Sequence, residues 1–220
     1  MLAIELNNTI IPQLSLTDTV DKALKLIAHH KVTHLPVVAE EKFLGLVSED
    51  DLRGATNKKL LIEYFQNEFV QASVIENEHF LKAVNISNQY QTNLIAVINS
   101  EKELMGTISA QLLLKTVGTF SGSNEIGGVI VLEMERSQFA ISEISRIVES
   151  NEATILHLNS TMQPETGLLT VTIHINKKEV ATIVAAFERY EYDVIYYFGE
   201  EKFEIEIHSN YQHLMNYLDL

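Results

Sequence analysis

Residues 34–52, HLPVVAEEKFLGLVSEDDL, contain the pattern that decides the fold of the first half of the chain. The apolar and β-branched run HLPVV is typical of a short strand, and LGLVS after the charged turn predicts a second strand. Ser48 is followed by three acidic residues. This is typical of a helix start, because a serine hydroxyl caps the first turn and carboxylates complement the helix dipole.

A second copy of this pattern, LIAVINSEKELMGTISAQLL, occupies residues 94–113. Residues 22–24 correspond to residues 82–84 at an offset of 60, and Gly45 corresponds to Gly106 at an offset of 61. The second copy therefore holds one extra residue in the turn between its two strands. A repeat of this length predicts two similar folding units in tandem.

Each copy follows the same order of elements. A helix comes first, and in the first copy its apolar residues recur at helical spacing at Val20, Ala23, Leu24 and Ile27. Two strands and a second helix follow, and residues 58–75 between the copies predict a helix and then a strand. We therefore predict repeats at about residues 1–58 and 59–118.

The two copies differ at one chemically important position. Asp51 lies three residues after Ser48, whereas Leu112 lies three residues after Ser109 in the second copy. A carboxylate has two acceptor oxygens and can accept hydrogen bonds from two hydroxyl groups at once. Leucine offers no acceptor, so the two copies are not expected to bind the same ligand.

The repeat resembles the cystathionine-β-synthase (CBS) domain. The family signature is an apolar-Pro-Val strand, then Gly, two residues, Ser or Thr, two residues and Asp. The first copy matches it at Pro36, Gly45, Ser48 and Asp51. The resemblance implies a CBS pair over residues 1–118.

The resemblance also implies a ligand and roles for these residues. CBS pairs bind adenosine-containing ligands such as AMP, ATP or S-adenosylmethionine in clefts between the repeats. By this resemblance Asp51 accepts hydrogen bonds from the ribose hydroxyls and Ser48 lies beside it. Leu35 and Pro36 line the adenine slot, with Gly45 on the adjoining strand.

An alternative interpretation is that Asp51 only caps a helix. Ser48 and three acids make a good helix start without any ligand. The same acids oppose a phosphate at this helix start, so a phosphate tail would have to reach toward Arg53, Lys58 or His30, or arrive with Mg²⁺. A cationic ligand such as S-adenosylmethionine suits this charge better than ATP.

The second half of the chain predicts a different domain. Residues 119–127 lie in a glycine-rich polar run and predict a linker. Residues 128–198 read β-α-β-β-α-β, the ferredoxin-like arrangement, with a further strand and a terminal helix up to residue 220. The first of these helices, over residues 137–151, is predicted to bury one apolar face: Phe139, Ile141, Ile144, Ile147 and Val148. Tyr192, Tyr196, Tyr197 and Phe198 are predicted to pack within the sheet.

Residues 128–220 resemble an ACT domain, a small ligand-sensing module. A CBS pair followed by an ACT domain is the arrangement of acetoin-utilisation-type CBS proteins. The predicted fold class is thus α+β. ACT domains that bind amino acids place a glycine at the turn into the first helix, and this chain has residues 136–139, RSQF, there. That departure disfavours an amino-acid ligand and favours a role in dimerisation.

Composition excludes several classes of function. The formal net charge of -14 disfavours nucleic acid as a partner. The chain has no cysteine, which excludes disulfides and thiolate metal sites. No metal site is expected from His30 and His34, which we interpret as surface histidines. A membrane helix needs a run of about 18 apolar residues, and the sequence contains no such run. The N-terminus also lacks a signal-peptide pattern, so we expect a cytoplasmic protein.

These features predict a regulatory protein and not an enzyme, because no catalytic grouping can be assigned from spacing. It is expected to bind an adenosine-containing ligand without an obligatory cofactor, to form a homodimer, and to act on a regulated protein that the sequence does not identify. The alternative is a structural or dimerisation module whose CBS sites have lost their ligand. An enzyme with an unfamiliar site is a third interpretation.

Overall fold

The computed structural model of the protein describes residues 1–7 and 11–199. The chain forms two compact units that divide between Val117 and Gly118. The strand and helix predicted after residue 200 lie outside the described residues. Within the described ranges, no helix has the length and apolarity needed to cross a membrane.

The first repeat is a three-stranded sheet with two helices. Its sheet has the order β1-β2-β3, with β1 parallel to β2 and β2 antiparallel to β3. The first strand, β1 (Leu14–Ser15), was not predicted from the sequence. The elements after it follow the predicted order: α1 (Val20–His30), β2 (His34–Ala39), β3 (Lys42–Ser48) and α2 (Glu49–Arg53).

The second repeat has the same topology, with sheet order β4-β5-β6. Its elements are β4 (Ser73–Ile75), α3 (Phe80–Tyr90), β5 (Leu94–Ile98), β6 (Leu104–Ser109) and α4 (Ala110–Phe120). The connecting segment predicted as a helix forms a 3-10 helix instead, over Ile62–Glu68. The second helix of each repeat differs most, since α2 has 5 residues and α4 has 11.

The first helices of the two repeats begin and end in similar ways. Thr19 caps α1, and its side chain accepts a hydrogen bond from the Lys22 N–H. Lys31 ends α1 in the left-handed region at φ 55°, and Gln91 ends α3 in the same way at φ 49°. A left-handed residue at this position lets the chain leave the helix and enter the strand that follows.

The segments that precede the two repeats are exchanged between them. Ala3 and Leu6 lie in the core of the second repeat, and the Ala3 N–H donates to the Glu78 carbonyl at 2.8 Å. Ile62 lies in the core of the first repeat, and its N–H donates to the Asp18 carbonyl at 2.9 Å. The boundary predicted at about residue 58 therefore divides the sequence, but it does not divide the two packed cores.

The second unit is a four-stranded antiparallel sheet of order β10-β7-β9-β8 with two helices. Alternate residues of β7 and β9 are buried, and they pack with the buried residues of α5 and α6. This is the predicted split β-α-β arrangement. Its elements are β7 (Gly128–Met134), α5 (Ile141–Ser150), β8 (Ile155–Met162), β9 (Leu169–Ile175), α6 (Ala181–Arg189) and β10 (Asp193–Phe198).

Two details of the predicted packing in this unit are wrong. The first helix begins at Ile141, after a 3-10 turn at Arg136–Gln138, and the Ile141 side chain is 58% exposed. Tyr196, Tyr197 and Phe198 are also exposed, whereas Tyr192 is buried. The reason is position, because among the described strands β10 lies at the edge of the sheet and pairs with β7 alone.

The predicted linker at 119–127 lies at the division between the units, although its first two residues end α4. Residues 123–126 are exposed, and the Ile126 side chain is 73% exposed. We expect limited proteolysis to cut first within residues 121–127, because exposed polar segments between folded units fit a protease cleft. Mass spectrometry of the fragments checks this. First cleavage within the sheets or helices of either unit would contradict it.

Candidate functional site

Asp51 is held at the start of α2 by Ser48. The Ser48 hydroxyl accepts a hydrogen bond from the Asp51 N–H at 3.0 Å, and it donates to Oδ2 of the Asp51 carboxylate. The other carboxylate oxygen, Oδ1, has no hydrogen bond to the described residues. Asp51 thus presents a fixed carboxylate with acceptor capacity left over.

The second repeat makes the same helix start without a carboxylate. Ser109 Oγ accepts a hydrogen bond from the Leu112 N–H at 3.2 Å, which is the counterpart of the Ser48 contact. A serine therefore caps both helices. The longer of the two, α4, belongs to the repeat that has no carboxylate at this position. The Asp51 side chain is therefore not the N-cap of α2, and α4 begins at the equivalent position without a carboxylate.

The register of β2 and β3 decides which predicted residues share a face. His34 lies opposite Ser48, Pro36 opposite Leu46, and Leu35 opposite Val47. Because neighbouring residues of a strand point to opposite faces, Pro36 shares its face with Ser48 and Leu35 does not.

Leu35 is fully buried in the apolar core of the first repeat. The structure therefore places Pro36, which is buried, on the same face as Ser48, which contacts Asp51, and places Leu35 on the opposite face of the sheet.

Gly45 lies where the segment that links the repeats packs against β3. It has φ +147°, at a register shift in the β2–β3 pairing, and a Cβ placed there would lie 2.7 Å from the Phe69 Cβ. Val70 and Leu46 exchange two backbone hydrogen bonds of 2.9 Å beside it. The absence of a side chain at Gly45 lets the segment that links the repeats join the edge of β3.

His34 lies opposite Ser48 and is buried, whereas we expected a surface histidine. Its side chain is 8% exposed, and its Nδ1 lies 2.8 Å from the Thr33 hydroxyl. Burial lowers the pKa of His34, and the negative charges of Asp51 and Asp50 oppose that shift. The sequence did contain one signal of this position. His34 lies two residues before Pro36 on one strand, and residues i and i+2 of a strand share a face.

The charges around the site are mainly negative. Glu49, Asp50 and Asp51 occupy the first turn of α2. Arg53, one of the residues considered for a phosphate tail, is exposed and bound to Glu49 at 2.6 Å. In the described parts of the chain, no group of three His, Cys, Asp or Glu side chains could hold a metal ion.

Comparison with known proteins agrees with this fold. A family model of the CBS domain matches residues 4–58. A CBS domain pair/ACT domain protein from Thermotoga maritima has a similar solved structure, with a TM-score of 0.50 and 18% sequence identity. The match covers 55% of this chain and 98% of that chain. The family model thus shows a CBS domain over residues 4–58, and the solved structure shows the fold of a CBS domain pair, in agreement with the resemblance predicted from the sequence.

Two further solved structures are similar at lower scores. A putative acetoin utilization protein from Vibrio cholerae has a TM-score of 0.47 and 16% identity, over 56% of this chain and 95% of that chain. CBSX2, solved in complex with AMP, has a TM-score of 0.46 and 17% identity, over 54% of this chain and 97% of that chain. At these identities the likeness concerns the fold alone.

Proposed function

We propose that the CBS pair of this chain binds an adenosine-containing ligand at Asp51, and that the chain is a regulatory sensor and not an enzyme. The observation that carries the proposal is the Asp51 carboxylate, which Ser48 holds and whose Oδ1 has no hydrogen-bond partner among the described residues, while Ser48 is the N-cap of α2. Two vicinal ribose hydroxyls are matched donors for such a group. Half-buried Ser48 and buried Pro36 lie on the same face of the adjoining strands.

The charge of the site bears on which ligand binds. Glu49, Asp50 and Asp51 give the first turn of α2 a negative potential. Coulomb repulsion near a protein surface then disfavours a triphosphate close to this turn and favours a neutral or cationic adenosine compound. S-adenosylmethionine fits this condition better than ATP.

The second unit is proposed to be an ACT-like domain that transmits the ligand signal to a partner or mediates dimerisation. Its βαββαβ order supports this assignment. The turn that would approach an amino-acid ligand is occupied by the 3-10 turn Arg136–Gln138, in which Gln138 Oε1 accepts the Glu135 N–H at 3.0 Å. That arrangement favours a dimerisation or relay role over amino-acid binding.

The protein is expected to be a homodimer. In the described part of the second unit, β10 pairs on one side only and exposes Tyr196 and Phe198, and such edges are commonly covered by pairing between copies. Light scattering after size-exclusion chromatography should give about twice the 24.9 kDa chain mass. A single 24.9 kDa species at micromolar concentration would rule the dimer out.

A thermal-shift screen against AMP, ATP, S-adenosylmethionine and free amino acids tests the proposed function. A ligand at 100 times its dissociation constant adds about 2.7 kcal/mol to the free energy of unfolding. That corresponds to an increase of about 5–10 °C in the melting temperature. Absence of a shift with every adenosine compound would favour the structural-module alternative, and chemical turnover of any of them would favour an enzyme.

A further inference from the structure

His34 is joined to a hydrogen-bond network between the two repeats. Thr33 and Asn93 are equivalent positions of the repeats, and the Thr33 N–H donates to Asn93 Oδ1 at 2.8 Å. The Thr33 hydroxyl also donates to Asn93 Oδ1, at 3.0 Å. Asn93 Nδ2 donates to the Lys31 carbonyl at 3.2 Å, which fixes the orientation of the amide.

This network favours one position for the proton of neutral His34. The Thr33 hydroxyl has one hydrogen and gives it to Asn93, so it can only accept from His34 Nδ1, 2.8 Å away. The arrangement that satisfies both Thr33 hydroxyl contacts places the proton of neutral His34 on Nδ1, and in that arrangement Nε2 is a hydrogen-bond acceptor. Nε2 has no hydrogen-bond partner among the described residues. It is also not one of the fully buried polar atoms of these residues that lack a partner.

His34 and Asp51 belong to the same local surface. His34 lies opposite Ser48 in the β2–β3 register, and Ser48 holds the Asp51 carboxylate. The charged groups that act on the His34 ring are Asp51 and Asp50, both on α2. Lys31, just before β2, is exposed and contributes its backbone carbonyl to the network.

The second repeat lacks both polar groups at once. Leu94 occupies the position of His34 and lies opposite Ser109, and Leu112 occupies the position of Asp51. Leu94 is fully buried and packs with the core of the first repeat. A histidine that served only to fill the interface could be replaced by leucine in the same way, so its pairing with Asp51 in one repeat indicates a shared role.

We propose that His34 is a second ligand-contacting residue of the Asp51 site, and that its protonation state selects between uncharged and phosphorylated adenosine compounds. The proposal rests on the proposed function of that site. Neutral His34 and Asp51 offer only acceptors to the ligand, which suits the hydroxyls of a nucleoside. Protonated His34 adds an N–H donor and a positive charge, which suits a phosphate.

Burial supports the direction of this switch. It holds the pKa of His34 below the ordinary histidine value of 6.5, so the unliganded ring is neutral at and above neutral pH. As the pH falls below that range, the ring gains a proton, and a bound phosphate dianion or monoanion favours the protonated form further. Selectivity for phosphorylated ligands should therefore appear on the acid side.

Calorimetric titration with adenosine and with AMP at about pH 8 and about pH 5 tests the inference. The measured quantity is the ratio of the AMP to the adenosine affinity. In the parent protein this ratio should increase about tenfold on going to the lower pH, as for one added charge-assisted hydrogen bond. His34→Leu, which copies the second repeat, and His34→Gln, which keeps polarity without charge, should show a change of about twofold or less.

His29→Leu is the matched control, because His29 is exposed on α1, outside the site. It should behave like the parent, and thermal unfolding of all variants establishes that they are folded. An equal change in the ratio in His34→Leu, His34→Gln and the parent would overturn the role of His34 while leaving the Asp51 site intact. Failure of the parent to bind either compound at either pH would overturn the proposed function and this inference together.

Discussion

Asp51→Ala is expected to reduce the affinity for an adenosine-containing ligand by about 30-fold to 1,000-fold, or about 2–4 kcal/mol. The substitution removes the acceptor for the ribose hydroxyls and leaves them unpaired against the protein. The fold should persist, because Ser48 caps α2 through the Asp51 backbone N–H, which alanine retains. Calorimetry with S-adenosylmethionine and AMP measures the loss.

Leu112→Ala is the matched control for this change. It removes a side chain at the equivalent position of the second repeat, where Ser109 makes the same backbone contact and no carboxylate is present. Binding by this variant should remain within about threefold of the parent. If Asp51→Ala binds as tightly as Leu112→Ala, Asp51 has no role in ligand binding and the structural-module alternative is favoured.

Gly45→Ala is expected to lower the free energy of unfolding of the first unit by about 2–4 kcal/mol. Alanine is strained at φ +147°, and its Cβ would meet the Phe69 Cβ at 2.7 Å and the Val70 carbonyl oxygen at 3.2 Å. The linking segment would then have to move away from β3. Calorimetric unfolding should show the loss in the transition of the unit that contains residues 1–117.

Gly167→Ala is the control for the effect of positive φ alone. Gly167 has φ +71° in the turn between β8 and β9, and a Cβ there would meet nothing within 4 Å. Its cost is expected to be about 1 kcal/mol, in the transition of the second unit. Equal losses for the two variants would show that the packing of residues 69–71 against Gly45 contributes little.

Local patterns were sufficient to predict most of the elements. The apolar spacing of Val20, Ala23 and Ile27 predicted α1, and these three side chains are buried as expected. The Ser-containing strand ends predicted where α2 and α4 begin. These features depend on neighbours within a few residues, which the sequence displays directly.

Features that depend on pairing between distant segments were predicted less well. The family resemblance assigned Leu35 and Pro36 to one slot, and that assignment remains a prediction; the strand register places their side chains on opposite faces of the sheet. The exchanged segments containing Ala3 and Ile62 were missed for a similar reason. Each is short, and only the tertiary contacts decide which core receives it.

His34 illustrates the same limit for the candidate site. A histidine at the start of a strand gives no local indication that it is buried. The one nearby indication was Pro36, the proline of the family signature, two residues later. Its environment depends on Ser48, which precedes α2, and on Asn93 in the other repeat. The sequence therefore indicated the candidate carboxylate, Asp51, but not the burial of His34, which lies opposite Ser48.

The stoichiometry of ligand binding tests the central claim most directly. Titration of the unmodified protein with S-adenosylmethionine and with AMP should give one binding site per chain for whichever compound binds, because only the first repeat carries the Asp51 carboxylate. Two equivalent sites per chain would show that the carboxylate does not define the site. No binding of any adenosine compound would contradict the account as a whole.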